Sequence, residues 1–340
     1  MMKKLLLIGL VLLVVAGFAF AGGQGTGDGS GEEKFRVGVA APYMDPPYDA
    51  AFWRMWDKLV KEKPYSDWEI IITDAQGDLN NQINQIEDLA RKEIDVLLVK
   101  PLSAAGVVPT LNKVWEASGK TLPIITVNLG TDPAQIPAVI AHTGPNYYLQ
   151  GLAAGEGYVK YLDAHNLDKV NYCILLGRAG SDATNLRKQG FLDKVEEMGA
   201  SDRFVLLDEQ PADWYTDLGQ QVAENWITSF GDKMDMIYAE NDDMGIGAVN
   251  ALKGAGYEKG EVLVNGVDAG FAGTSLVKEG WMTFVVLQSP MLDAEGALHL
   301  ADKLRNGEKI EEFFNYIPSP IITAENADEW LPKIKETWGL

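Results

Sequence analysis

The sequence predicts an α/β protein of two doubly wound lobes, each built on an open parallel sheet. Three observations carry this. Short apolar runs alternate with amphipathic helical stretches along the chain, the pattern of parallel strands joined by covering helices. The runs fall into an earlier and a later set of similar size. The two sets also resemble each other locally. Glu93-Ile-Asp-Val-Leu-Leu-Val-Lys-Pro101 in the first half has a counterpart in Lys233-Met-Asp-Met-Ile-Tyr-Ala-Glu-Asn241 in the second, and in each an apolar strand ends abruptly in polar residues.

Taken in order, the chain opens on a short basic start, Met1 to Lys4, an apolar run from Leu5 to Gly17, and the small-x-small triplet Ala19-Phe20-Ala21. This reads as a removable secretory signal over residues 1–21, too short in its apolar part to span a bilayer comfortably. Residues 22–34 are glycine-rich and polar, a flexible leader with nothing to bury. The first set of strands is expected at Phe35–Ala41, Trp68–Thr73, Val96–Lys100, Ile124–Val127 and Val139–Ala141. The second is expected at Val170–Leu176, Phe204–Leu207, Met236–Ala239, Val262–Val267 and Thr283–Leu287. Between them, Leu79 to Arg91 sets Ile83, Ile86, Leu89 and Ala90 on one helical face. Val222, Trp226 and Ile227 do the same in the helical run from Leu218 to Phe230.

Composition removes several function classes. The formal net charge is −20, which disfavours nucleic acid and anionic membranes as partners. The only cysteine, Cys173, lies inside an apolar strand and reads as a small hydrophobe. His142, His165 and His299 are far apart and lack ligand spacing, so no metal is expected. Gly245-Ile-Gly247 lacks the third glycine of a dinucleotide turn, and no cofactor is expected. Asp242 and Asp243 are adjacent acids at a helix start, where capping and dipole pairing are the common reason for them. With no Gly-x-Ser-x-Gly elbow and no histidine near a candidate nucleophile, the chain does not read as an enzyme.

In open parallel sheets, ligands bind outside the carboxyl ends of the strands. The residues there are Asn128, Asn241, Asp268 and Gln288, with Asn185 and Arg187 after the strand Val170–Leu176 and Trp214 after Phe204–Leu207. The first strand runs into Tyr43, Asp45 and Tyr48, then Phe52 and Trp53. Amides donate and accept, carboxylates accept, and a guanidinium donates in a planar fork, a set that matches hydroxyl-rich molecules. Flat aromatic rings cover the C–H faces of a sugar. Each residue singly is also ordinary turn chemistry. Trp214 poses the choice sharply, because its ring either folds back on the core or walls a ligand site.

The pieces Gln210-Pro-Ala-Asp-Trp214, Ala239-Glu-Asn-Asp-Asp-Met-Gly-Ile-Gly-Ala248, Asn265-Gly-Val-Asp268, Arg187-Lys-Gln-Gly-Phe191 and Gly280-Trp-Met-Thr-Phe-Val-Val-Leu-Gln-Ser-Pro290 carry a resemblance. From Phe35 to about Pro320 the chain resembles the periplasmic sugar-binding proteins of ABC importers, of the ribose-binding, type I periplasmic binding protein kind. The resemblance implies three crossovers, near Thr143–Pro145, Gln288–Pro290 and Pro318–Pro320. Lobe one is then 35–143 with 290–318, and lobe two 144–289 with 319–340. It gives Arg187, Asn241, Asp268 and Gln288 contacts to ligand hydroxyls and makes Trp214 a sugar platform. Where the ribose-binding type has Asp-Arg after the fourth strand, this chain has Asn128-Leu129. Phe52 and Trp53 stand where that type has an aromatic pair.

The function so implied is capture of a monosaccharide, pentose or hexose, or a related polyol in an interlobe cleft. The closed monomer then delivers it to the membrane permease of an ABC importer, from a periplasmic or other extracytoplasmic location. The alternatives are a sensor that presents its ligand to a chemoreceptor or signalling kinase, and an exported carbohydrate-active enzyme. A repressor of the same fold would need a basic helix-turn-helix module where this chain has its apolar leader.

Overall fold

A computed structural model describes residues 34–128 and 137–340. The expected signal and nearly all of the leader lie outside the described residues, as does Leu129. The strands are β1 (Arg36–Ala41), β2 (Glu69–Asp74), β3 (Val96–Val99), β4 (Ile124–Val127), β5 (Val139–Pro145), β6 (Val170–Leu176), β7 (Phe204–Pro211), β8 (Met236–Ala239), β9 (Leu263–Asp268), β10 (Phe284–Leu287), β11 (Phe314–Ile317) and β12 (Ile321–Thr323). The helices are α1 (Pro47–Leu59), α2 (Leu79–Ala90), α3 (Ala104–Ala117), α4 (Tyr147–Ala164), α5 (Asp182–Glu197), α6 (Thr216–Phe230), α7 (Asp242–Gly254), α8 (Phe271–Glu279), α9 (Pro290–Arg305) and α10 (Ala327–Thr337).

Two six-stranded sheets result, ordered β11-β5-β4-β3-β1-β2 and β12-β10-β9-β8-β6-β7. The first five strands of each half repeat one order, and every pair among them is parallel. Each sheet is covered on both faces. Trp56, Leu98, Ile125 and Leu298 pack on one side of the first, and Ile86, Leu97, Leu111 and Ile124 on the other. Trp226, Ile237 and Val285 cover one side of the second, opposite Tyr158, Phe191 and Phe284. Burial on both faces explains why β3, β8 and β10 read as unbroken apolar runs and why β4 is interrupted only by Thr126.

Two strands were not expected from sequence. β11 is an edge strand with every other side chain exposed, and it pairs parallel with β5. β12 has three residues and pairs antiparallel with β10. Both are too short and too exposed to show a buried-strand pattern, and their partners exist only once the chain has folded. They carry the chain from one sheet to the other, as do the β5–α4 and β10–α9 connections.

Polar residues at the strand ends start the next helix. Asp78, Ser103, Asn146, Asn241 and Ser289 each accept a hydrogen bond from the backbone N–H three residues on. The functional edge of the sheets is thus also the edge at which helices are capped.

Helices α4 and α5 touch without intervening side chains. A Cβ at Gly151 would lie 2.2 Å from the Arg187 carbonyl oxygen, and one at Gly190 2.2 Å from that of Tyr148. This contact sets the depth at which Arg187 sits. Gly151→Ala is expected to cost about 1–3 kcal/mol by overpacking against backbone, measured by urea unfolding. An unchanged midpoint would show that the helices part freely.

Candidate functional site

The carboxyl ends of both sheets meet at a cavity of about 540 Å³ of empty space, counting its open mouth. Its walls include Tyr43, Tyr48, Asp49 and Asn128 from the first half, and Tyr147, Arg187, Trp214, Asn241, Asp243, Asp268 and Gln288 from the second. Eight expected site residues therefore share one cavity: Tyr43, Tyr48, Asn128, Arg187, Trp214, Asn241, Asp268 and Gln288.

Arg187 is the centre of the polar network. It is 3% exposed, and its nitrogens donate to acceptors from separate segments. Nε donates to Gln150 Oε1 at 2.9 Å, one terminal nitrogen to the Glu240 carbonyl at 2.6 Å, and the other to Gln288 Oε1 at 2.6 Å. Its plane lies 5.2 Å from the Tyr147 ring centroid and 5.6 Å from that of Trp214. Gln150 also donates to Gln288 Oε1 at 3.2 Å and to the Ser319 hydroxyl at 3.3 Å. One buried amide thus ties the arginine to two connections between the sheets.

Trp214 answers the question its position raised. Its backbone is left-handed, φ +74°, a conformation costly for a bulky residue. That turn lays the ring over Gly177, where a Cβ would fall 1.8 Å from the indole. The ring packs partly on the core and partly on Ala104, Tyr147 and Ala183, and it forms part of the cavity wall. Core support and site wall are one placement.

Asn128, φ +65°, and Asp268, φ +117°, are also left-handed. Asn128 donates to Asp293 Oδ2 at 2.7 Å, and the Tyr147 hydroxyl donates to its side-chain and carbonyl oxygens, each at 2.9 Å. Asp293 also accepts from the Tyr48 hydroxyl. Asn241 is committed in part to structure: Oδ1 accepts from the Met244 N–H at 3.0 Å and Nδ2 donates to the Trp214 carbonyl at 3.2 Å. Arg178 stacks over the Tyr43 ring, 5.2 Å from its centroid, joining loops that follow β6 and β1.

Four expected residues are not brought to the cavity. Phe52 is 2% exposed and packs in the first lobe's core with Trp56. It lies one helical turn beyond Tyr48 on the same face, and a turn advances 5.4 Å, from the cavity floor into the core. Trp53 is half-buried beside it and donates its indole N–H to the Tyr43 carbonyl at 3.3 Å, bracing the loop. Asn185 is exposed, since two residues before Arg187 on a helix is nearly the opposite face. Asp45 is exposed in the turn before Pro46.

Sequence reasoning missed Asp49, Tyr147 and Asp243. Tyr147 follows β5 and the cap Asn146, so the strand-end rule would have found it. Asp49 sits in the first turn of α1, ion-paired with buried Lys100 at the end of β3. Nothing local marks that pairing. Asp243 was read as helix-start chemistry, yet the adjacent acids diverge. Asp242 turns inward to accept the Gly270 N–H at 2.7 Å, and Asp243 lines the cavity.

Burial raises the acids around this cavity. Asp268 is pushed up to about 8, against the lowering pull of Arg187, and Asp243 to about 6. Asp293 is pushed to about 6 although Tyr48 and Asn128 donate to it. Glu240 rises to about 8, eased by the Gly177 N–H that its Oε2 accepts at 2.7 Å. His142, under β11, is pushed down to about 4 by burial and stays neutral.

The fold and cavity together define a two-lobed solute-binding protein. The chain belongs to the periplasmic binding protein family: the family model described as "Periplasmic binding protein domain" matches residues 37–309. Over 311 residues it is 30% identical to the ribose import binding protein of Haemophilus influenzae, covering 91% of this chain and 96% of that protein. It is also 30% identical over 260 residues to a xylitol-binding protein of Mycolicibacterium smegmatis, covering 76% of this chain and 70% of that one. An ABC transporter solute binding protein from Bacillus halodurans, solved with bound myo-inositol, is similar at a TM-score of 0.78 and 28% identity, over 89% of this chain and 100% of that one. The chain is a type I binding protein of the ribose-binding kind, and not an enzyme.

Two outcomes test the network. Gln150→Leu leaves the Arg187 Nε donor buried without its acceptor and is expected to cost about 1.5–3 kcal/mol, read by urea unfolding. A loss under half of that would mean Arg187 repairs itself elsewhere. The raised acids also set a pH dependence. Between about pH 8 and 5 the folded state holds protons that the unfolded state has released, so stability falls as pH rises through that window. The melting temperature should therefore be higher at pH 5.5 than at pH 8.5, with a shallower slope in Asp243→Asn. An equal slope in that variant would remove Asp243 from the account.

Proposed function

We propose that this protein captures a monosaccharide or related polyol in the interlobe cavity and delivers it to the permease of an ABC importer. The observation that carries the proposal is the joint lining. Asn128, Asn241, Asp268, Gln288 and Arg187 offer donors and acceptors between the faces of Trp214, Tyr43, Tyr48 and Tyr147. That pairing suits a ring with hydroxyls at its edge and C–H groups on its faces. The relatives named for ribose and xylitol, and the neighbour solved with myo-inositol, support the hydroxylated class.

Residues 35–143 with 290–318 and 144–289 with 319–340 act as two jaws. They rotate at Thr143–Pro145, Gln288–Pro290 and Pro318–Pro320. Ligand contacts to both jaws favour the closed form, and that difference in affinity drives the population shift. The closed monomer is the form a permease distinguishes. The signal over residues 1–21 sends the chain to the periplasm or its equivalent. Permease delivery is favoured over a sensor role by the ribose import relative that spans nearly this whole chain.

The test is a thermal-shift screen against pentoses, hexoses, cyclitols and linear polyols. At a hundredfold excess over Kd, a true ligand stabilises by about 2.7 kcal/mol. Trp214→Ala and Asp268→Ala should each abolish the shift while keeping a cooperative melt. A full shift in either variant removes that residue from the binding set, and no shift from any hydroxylated compound refutes the proposal.

A further inference from the structure

The charge around the cavity does not balance. Among the described residues, three carboxylates line it, Asp49, Asp243 and Asp268, against one guanidinium, Arg187. Lys100 neutralises Asp49. Asp293 stands just behind the wall, holding Tyr48 and Asn128, and no cation among the described residues is bonded to it. Arg187 thus faces a surplus of acid, and each of its nitrogens is already held by a protein acceptor. Its nearest approach to Asp268 is 4.0 Å, beyond a hydrogen bond.

Asp268 is the decisive residue. It is 4% exposed, lines the cavity, and its carboxylate receives no hydrogen bond from any described residue. Asp243 has one long contact, from the Thr216 hydroxyl at 3.4 Å, and is near enough to bear on the titration of Asp268. Burial holds both acids well above the ordinary carboxylate range, and the pull of Arg187, 4.0 Å from Asp268, does not offset it.

We propose that the ligand supplies the missing cation: it is an amino sugar or aminated polyol whose ammonium sits between Asp268 and Asp243, and it carries no carboxylate or phosphate. This deepens the polyol reading and rests on it. An ammonium offers three donors and no acceptor, and charge-assisted bonds to buried carboxylates are the strong kind. An anionic sugar would bring like charge against the same acids.

The experiment is titration calorimetry of the protein at pH 7 with matched pairs: glucose and glucosamine, galactose and galactosamine, sorbitol and glucamine, with glucuronate as the anion. In at least one pair the amino member should bind at least tenfold more tightly. That ratio should shrink in Asp243→Asn and in Asp268→Asn, and glucuronate should not bind. If hydroxyl members bind and no amino member binds more tightly, or if glucuronate binds best, this inference fails and the polyol reading stands. If the amino advantage persists undiminished in both variants, the ammonium site is misplaced and the inference fails. If no member of any pair binds, this inference fails, and the polyol reading is decided by the wider thermal-shift screen.

Discussion

A buried guanidinium fixes the site on which this protein is built. Arg187 is removed from water, and a charge so placed needs its hydrogen bonds met by the protein. They are met by Gln150 from α4, the Glu240 carbonyl after β8, and Gln288 after β10. The bare contact of Gly151 and Gly190 lets α5 approach closely enough for this. Tyr147 and Trp214 then close on the guanidinium plane. Moving any of these elements leaves a buried donor unpaired, so the arginine fixes the relation of helix, sheet end and connection.

The same residues link the cavity to the passages between the lobes. Gln150 touches Gln288 and Ser319, which lie on two of the three connections between the sheets. On the other side, Asp293 of α9 holds Asn128 at the end of β4 and Tyr48 at the start of α1. A molecule bound against Arg187 or Asn128 therefore meets groups already bonded to the segments that connect the two sheets. Differential contact with the two lobes is what a population shift requires.

The strained backbone is concentrated here as well. Asn128, Trp214 and Asp268 each hold a left-handed φ at a strand end. Such residues persist where the surroundings over-determine them. For Trp214 the surroundings are Gly177, which leaves room for the indole, and Asn241, which holds its carbonyl. For Asp268 the backbone carbonyl accepts the Gln288 N–H at 3.1 Å, leaving the carboxylate free to face the cavity.

Local chemistry made much of this visible in advance. Apolar runs placed the ten parallel strands, most plainly the eight inner ones, because a parallel strand under two layers of helix leaves a nearly unbroken pattern. Polar residues at their ends named Asn128, Arg187, Trp214, Asn241, Asp268 and Gln288, because helix caps and ligand groups gather at the same sheet edge. Other features were decided by the tertiary structure. Phe52 and Tyr48 share one helix face, and only the depth of α1 against its sheet sends one to the core and the other to the cavity. Asp242 and Asp243 are chemically alike, and the direction of α7 separates them. Asp49 with Lys100, the exposed strand β11 and the three-residue β12 depend on partners distant in sequence. Sequence records what each residue prefers locally, whereas burial, charge balance and strain arise from which surfaces the folded lobes bring together.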